Sequence, residues 1–212
     1  MTETADAAAP RPQSTPGQWV GAGWAIFKGD LGNFVLMTII VLALTAVAST
    51  TIVGYAVVGG PLFAGLFLAV RRRMLPGPSD WADVFQGFNR FLDAFLLCLL
   101  TTIFCMIGLI FCIFPFFIVA AMYLFAYPFM VDRGLGFWEA MESSRKLIAK
   151  DLSTYVLFFI LLCLLNFVGL MLAGVGLLFT IPVSVAAVAV AYNEAVGFQQ
   201  DVQPAAHPIV IP

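Results

Sequence analysis

The sequence predicts an all-α membrane protein with six transmembrane helices, paired as three hairpins, each preceded by an amphipathic helix at the cytoplasmic interface. Of the 212 residues, 62% are hydrophobic and only 10% are charged, whereas soluble domains average about a quarter charged residues. Three long runs, residues 31–70, 94–131 and 152–193, contain no Asp, Glu, Lys or Arg. Each run is about twice the roughly 20 residues that one membrane-spanning helix needs, so each predicts two crossings.

The first hairpin is predicted from the run 31–70. A helix start precedes it, because Thr15 can cap a helix, Pro16 suits its first position and Gln18 can complete a capping box. The amphipathic segment that follows contains Trp24, and we expect it to lie among lipid headgroups. Glycine and proline are turn-forming residues, so we expect the turn of this hairpin between Gly54 and Pro61.

The second and third hairpins follow the same plan. An amphipathic stripe precedes the run 94–131, and we expect this run to break near Pro115. A second amphipathic face precedes the run 152–193, and the centre of this run contains Gly174, Gly176 and Pro182. Helical spacing defines both faces. The first stripe consists of Trp81, Val84, Phe85, Phe88 and Leu92, and the second face consists of Phe137, Met141, Ser144 and Ile148.

The three units resemble an internal repeat. Trp24, Trp81 and Trp138 are spaced at 57-residue intervals, and each stands before a charge-free run. We interpret residues 16–73, 79–133 and 136–196 as three copies of an interfacial helix and a transmembrane hairpin. The domain prediction is therefore a disordered tail at 1–15, one transmembrane domain at 16–196 and a flexible tail at 197–212.

The basic residues predict the orientation in the membrane. All ten Lys and Arg lie outside the charge-free runs, and two crossings per run place them on one side. The positive-inside rule makes that side cytoplasmic. We therefore expect a multi-pass protein of the bacterial inner membrane with both termini in the cytoplasm. The spans are short, so the sequence also permits a second interpretation, in which the hairpins enter the bilayer without crossing it.

Two groups of side chains are candidate site residues. Basic clusters beside the runs are candidate contacts for anionic lipid headgroups, although they also serve to set the topology: Arg71, Arg72, Arg73, Arg145 and Lys146. Polar side chains within the third run are candidates for a solute pathway or for hydrogen bonds between helices: Asn166, Thr180, Ser184 and Tyr192.

The remaining patterns favour no catalytic chemistry. Cys98, Cys105 and Cys112 recur every seven residues, a spacing of roughly 10 Å along a helix axis, which is too long for one shared metal ion. The sequence contains no phosphate-binding loop, no nucleophile elbow and no metal-spaced His/Glu set. The net charge of −2 does not favour nucleic acid. We therefore expect no enzymatic activity, no cofactor and no nucleic-acid partner.

The sequence also resembles a broad family of uncharacterised bacterial integral membrane proteins. These are distantly similar to the membrane domain attached to some glycerophosphodiester phosphodiesterases. The resemblance extends from about Trp81 to Glu194, with Val84 and Phe116 as departures, and it implies a multi-span helical fold without catalytic residues. The matching positions are Asp83, Phe85, Gly87, Phe88, Pro115, Asp132, Ala140, Ser144, Gly174, Gly176, Pro182 and Tyr192.

Two functional hypotheses follow from these patterns. The first is a non-enzymatic membrane protein whose cytoplasmic amphipathic helices organise membrane lipids or a protein partner, including a second copy of the chain. The alternative is a carrier or channel for a lipid-like or neutral solute, because glycine and proline interruptions in paired spans mark binding sites in some transporters.

Overall fold

The computed structural model describes residues 14–75, 80–111, 113–172 and 174–199, apart from the side chains of residues 111, 113 and 114, and every regular element in these ranges is helical. Six helical segments within the described residues are long and apolar enough to cross a membrane. This confirms the predicted all-α fold with six spans. Residues 76–78, whose Pro-Gly-Pro sequence predicts a turn, lie outside the described residues, as do most of the two predicted tails.

The first unit consists of α1 (Pro16–Lys28), α2 (Leu31–Ala48) and α3 (Ile52–Met74). The predicted start of α1 is confirmed, since the Gln18 side chain accepts a 2.8 Å hydrogen bond from the Thr15 amide. The second unit consists of a 3₁₀ helix (Trp81–Arg90), α4 (Phe91–Phe111), α5 (Ile113–Met122) and α6 (Ala126–Arg133). The third consists of α7 (Phe137–Ile148), a 3₁₀ turn (Ala149–Asp151), α8 (Leu152–Met171) and α9 (Leu177–Ala195).

The prediction for the first turn is wrong. The chain turns at residues 49–51, and α3 continues through both Gly54 and Pro61. The physical reason is hydrogen bonding: the Thr51 hydroxyl accepts from the Gly54 amide at 3.0 Å, and the Ser49 hydroxyl donates to the Ala46 carbonyl at 2.8 Å. These side chains satisfy backbone groups that a turn leaves without intrahelical partners, whereas proline within a transmembrane helix is tolerated.

The fourth span is interrupted between α5 and α6 at residues 123–125. Pro128 lies four residues after Leu124, and a proline ring clashes with the carbonyl four positions earlier while offering it no N–H. The Ser144 hydroxyl of α7 compensates part of this break. It accepts from the Phe125 amide at 3.1 Å and donates to the Met122 carbonyl at 2.6 Å. Thus α7 is attached to the fourth span.

The 3₁₀ helix Trp81–Arg90 packs directly on α3 at glycines. A Cβ on Gly65 would lie 1.8 Å from the Val84 carbonyl oxygen, and one on Gly87 would lie 1.9 Å from the Pro61 carbonyl oxygen. Only glycine allows the two backbones to approach this closely. Of the predicted stripe, Val84 is buried, whereas Trp81, Phe85 and Phe88 remain exposed.

Helix α9 contributes side chains to both hydrophobic core clusters. Its Ala187, Ala191 and Tyr192 belong to one hydrophobic core cluster, and its Val183 and Ala186 belong to the other. Helix α1 packs along α9 in the opposite direction. Its contacts are Trp19 with Glu194, Gly23 with Val183 and Ala187, and Phe27 with Phe179. The small residues of α9 permit this close packing, as is usual between membrane helices.

Candidate functional site

Asp132, at the end of α6, is the centre of a buried polar network. Its carboxylate accepts hydrogen bonds from Arg71 Nε at 2.8 Å and from the Tyr192 hydroxyl at 3.0 Å. The Gln199 amide donates to it at 3.1 Å, and Arg133 Nε lies 3.2 Å away. The Asp132 side chain is completely buried. A buried carboxylate requires such partners, because an unpaired charge inside a protein is strongly disfavoured.

This network joins all three units of the fold. Arg71 lies on α3, Asp132 on α6 and Tyr192 on α9, and the Arg71 guanidinium also donates to the Gln199 carbonyl at 2.6 Å. Phe198 packs against the Tyr192 ring with centroids 5.8 Å apart. Because hydrogen-bond donors from several elements already contact the Asp132 carboxylate, this network is suited to holding the hairpins together.

The predicted headgroup residues fall into different environments. Arg71 is only 6% exposed and hydrogen-bonded to protein groups, which leaves little of its guanidinium accessible to a lipid headgroup. Arg72 pairs with Asp83, and the Arg73 guanidinium donates to the Gly29 carbonyl at 2.8 Å. The headgroup contacts predicted for these residues stay predictions.

Arg145 and Lys146 lie on the exposed face of α7, and both pair with Glu142. The hydrogen bond from Arg145 lowers the pKa of Glu142 to about 2, so this carboxylate remains ionised across the physiological range. The inner face of the same helix is buried at Met141, Ser144 and Ile148. Lipid headgroups at Arg145 and Lys146 would therefore have to compete with Glu142.

A cavity of about 300 Å³ lies between the three hairpins. Helix α3 contributes Phe63 and Phe67, the region around the fourth-span break contributes Leu124, Tyr127 and Pro128, and α8 and α9 complete the walls. The α8 and α9 residues are Phe159, Leu162, Cys163, Asn166, Ser184, Val185 and Val188. None of these lining residues is ionisable except the Tyr127 phenol and the Cys163 thiol, so the wall carries no charge at neutral pH.

Asn166 and Ser184 form the polar part of this wall. The Asn166 amide group donates to the Ser184 hydroxyl and to the Leu162 carbonyl, each at 2.8 Å, and the Ser184 hydroxyl donates to the Thr180 carbonyl at 2.7 Å. Because Ser184 uses its hydrogen on Thr180, it can only accept from Asn166, which fixes the orientation of the amide. The Asn166 carbonyl oxygen is buried and has no hydrogen-bond partner within the described structure.

The structure thus brings together some of the predicted polar residues and separates one. Asn166 and Ser184 line the cavity, Thr180 lies beside them and contributes its carbonyl, and Tyr192 lies in the Asp132 network. Of the cysteine stripe, Cys98 is buried and Cys105 is half-buried, and Cys112 lies outside the described residues. The sequence analysis did not single out Phe63 or Tyr127, and it named Asp132 only among the positions of the family resemblance. Pro128 is the signal that could have indicated the break beside Tyr127.

These features define a multi-pass helical membrane protein with an uncharged cavity between its hairpins. No family model, curated protein or solved structure matches the chain. The family resemblance drawn from the sequence therefore stays a prediction.

Proposed function

We propose that this protein binds a lipid-like, uncharged molecule between its three hairpins, as a non-enzymatic carrier or binding protein of the bacterial inner membrane. The observation that carries the proposal is the cavity whose wall combines side chains from all three hairpins with the Asn166–Ser184 pair. Ligand sites are typically concave, mostly apolar and supplied with a few polar groups. This wall has that composition.

The chemistry of the wall limits the ligand. A charged group placed within a membrane protein needs a counter-charge or a water-filled surrounding, and no charged side chain lines the cavity. The Asn166 carbonyl oxygen offers an unused acceptor beside the cavity. An unsatisfied buried polar group costs about 1–3 kcal/mol, and a ligand hydroxyl that donated to this oxygen would recover part of that free energy.

Filling the cavity tests the proposal. Cys163 lines it, whereas the adjacent Leu164 is 57% exposed on the outer side of α8. We expect purified wild-type protein and Leu164→Trp to retain a lipid-like molecule, and Cys163→Trp to lose it because the indole occupies the space. Organic extraction followed by mass spectrometry measures the retained molecule. Equal retention in Cys163→Trp, or none in the wild type, contradicts the proposal.

A second candidate function is organisation of lipid or a protein partner by the segments that precede the hairpins. The observation that favours it is that Trp24, Trp81 and Trp138 are 42%, 46% and 59% exposed, although each segment is packed on the bundle. Exposed tryptophans are typical of the membrane interface. In vesicles of brominated lipids, bromine at shallow positions should quench their fluorescence more strongly than bromine at the bilayer centre. Equal quenching at both depths counts against interfacial segments.

A further inference from the structure

A second cavity lies between α3, α4 and α6. Its volume is about 240 Å³, and its lining residues are Tyr55, Phe63, Cys98, Thr101, Thr102 and Tyr127. Five of these six side chains carry a hydroxyl or a thiol, so this wall can form several hydrogen bonds. No residue that is charged at neutral pH lines the cavity. The exposed surface of this wall is mostly apolar, as in the first cavity, but polar side chains are a larger share of its lining residues: five of six, against four of twelve in the first.

The two cavities share a partition. Phe63 and Tyr127 line both of them, so the spaces lie on either side of the same two side chains. The mostly apolar space and the hydroxyl-rich space are therefore neighbouring compartments.

The hydroxyl-rich cavity contains an unused hydrogen-bonding group. The Thr101 hydroxyl is buried and has no partner within the described residues. Most buried polar side chains in proteins are hydrogen-bonded, and an exception calls for an explanation. A bound polar group would supply the missing partner once Thr101 changes rotamer.

We infer that the two cavities are the two halves of one site for an uncharged amphiphile. Its hydroxyl or ester head lies among Tyr55, Thr101 and Thr102, and its hydrocarbon chain passes Phe63 and Tyr127 into the apolar cavity. This inference rests on the proposed function and names its substrate class. Ionised lipids such as phosphate esters are excluded, because neither cavity offers a cation to pair with them.

Photolabelling of the full-length protein in lipid nanodiscs tests this assignment. The probes are a long-chain alcohol with a diazirine near its hydroxyl and an alkyl phosphate of the same chain length. We expect the alcohol to label the residues of the hydroxyl-rich cavity and the alkyl phosphate to label them at least about tenfold less, since it must bury an unpaired charge. Equal labelling by the two probes overturns the assignment.

Thr101→Val and Thr101→Ser provide a matched pair of variants. The Thr101 hydroxyl has no hydrogen-bond partner among the described residues, and only the serine variant keeps a hydroxyl at this position. We expect Thr101→Val to reduce labelling about fivefold, the equivalent of one hydrogen bond, without lowering the melting temperature of the ligand-free protein. Thr101→Ser should label as the wild type does. Unchanged labelling in a folded Thr101→Val protein overturns the inference.

Cys163→Trp separates this inference from the proposed function. If Cys163→Trp abolishes labelling while Thr101→Val does not affect it, the apolar cavity binds the probe and the two-compartment site is refuted. If the wild type is not labelled by either probe, the proposed function fails as well. If both variants reduce labelling, the site comprises both cavities.

Discussion

At the scale of single residues, burial separates ion pairs that resemble each other in sequence. The Arg71–Asp132 pair is almost completely enclosed, whereas Glu142 and Arg145 are exposed on α7. Exposed pairs contribute little to stability because water and salt screen them. Removing one partner of a buried pair leaves a charge without compensation, and the resulting loss is large. Asp132 is therefore the charged residue on which the fold depends most.

Asp132→Asn should destabilise the protein by about 3–5 kcal/mol, because the buried Arg71 guanidinium loses the carboxylate that it pairs with and the Tyr192 hydroxyl loses a charged acceptor. Glu142→Gln is the matched control at an exposed pair and should change stability little. Unfolding of the purified proteins by denaturant in mixed micelles measures the difference. The double variant Arg71→Met/Asp132→Leu should recover part of the loss, since it removes both charges. Equal effects of Asp132→Asn and Glu142→Gln would refute this role of Asp132.

At the scale of elements, the position of the first turn and the break in the fourth span both depend on residues with opposing effects on the backbone. Glycine and proline suggested a turn between Gly54 and Pro61, but the hydroxyls of Ser49 and Thr51 bond to the backbone and place the turn earlier. Conversely, the fourth span breaks beside Pro128, within a charge-free run. Whether a proline breaks a helix depends on nearby groups that satisfy the backbone, and these come from distant residues such as Ser144.

Ser144→Ala tests the attachment of α7 to the broken span. The variant loses one hydrogen bond from the Phe125 amide and one to the Met122 carbonyl, and a buried group left unsatisfied costs about 1–3 kcal/mol. Ser143 is the adjacent control, because it is half-buried and its hydroxyl makes no hydrogen bond to the described part of the fourth span. Hydrogen exchange of residues 122–126 should accelerate in Ser144→Ala and remain unchanged in Ser143→Ala. Equal exchange in both variants would contradict the attachment.

At the scale of the whole molecule, the charge-free runs are sufficient to predict six spans. They also predict where a span begins or ends next to a charged segment. They were insufficient to predict the cavities. The walls of a cavity come from side chains distant in sequence, such as Phe63, Tyr127 and Asn166, and apolar runs look alike whether they pack tightly or leave a space. Asn166 and Ser184 could be singled out only because they are polar within apolar runs.

The orientation proposed for the bundle is also a property of the whole molecule. In a cysteine-free background, a cysteine introduced at Ser49 should react with a membrane-impermeant maleimide in intact cells, because its turn carries no charge. A cysteine at Ser143, beside Arg145 and Lys146, should react only after the cells are opened. Reaction at both sites in intact cells, or the reverse pattern, refutes the proposed topology.

The packing of α1 on α9 has a consequence for biosynthesis. Helix α1 is synthesised well before α9, its main packing partner. Domains generally assemble from the N-terminus during synthesis, but α1 cannot complete its packing until α9 has been made. A chain that stops before residue 177 therefore leaves the Gly23 face of α1 without the helix that packs on it.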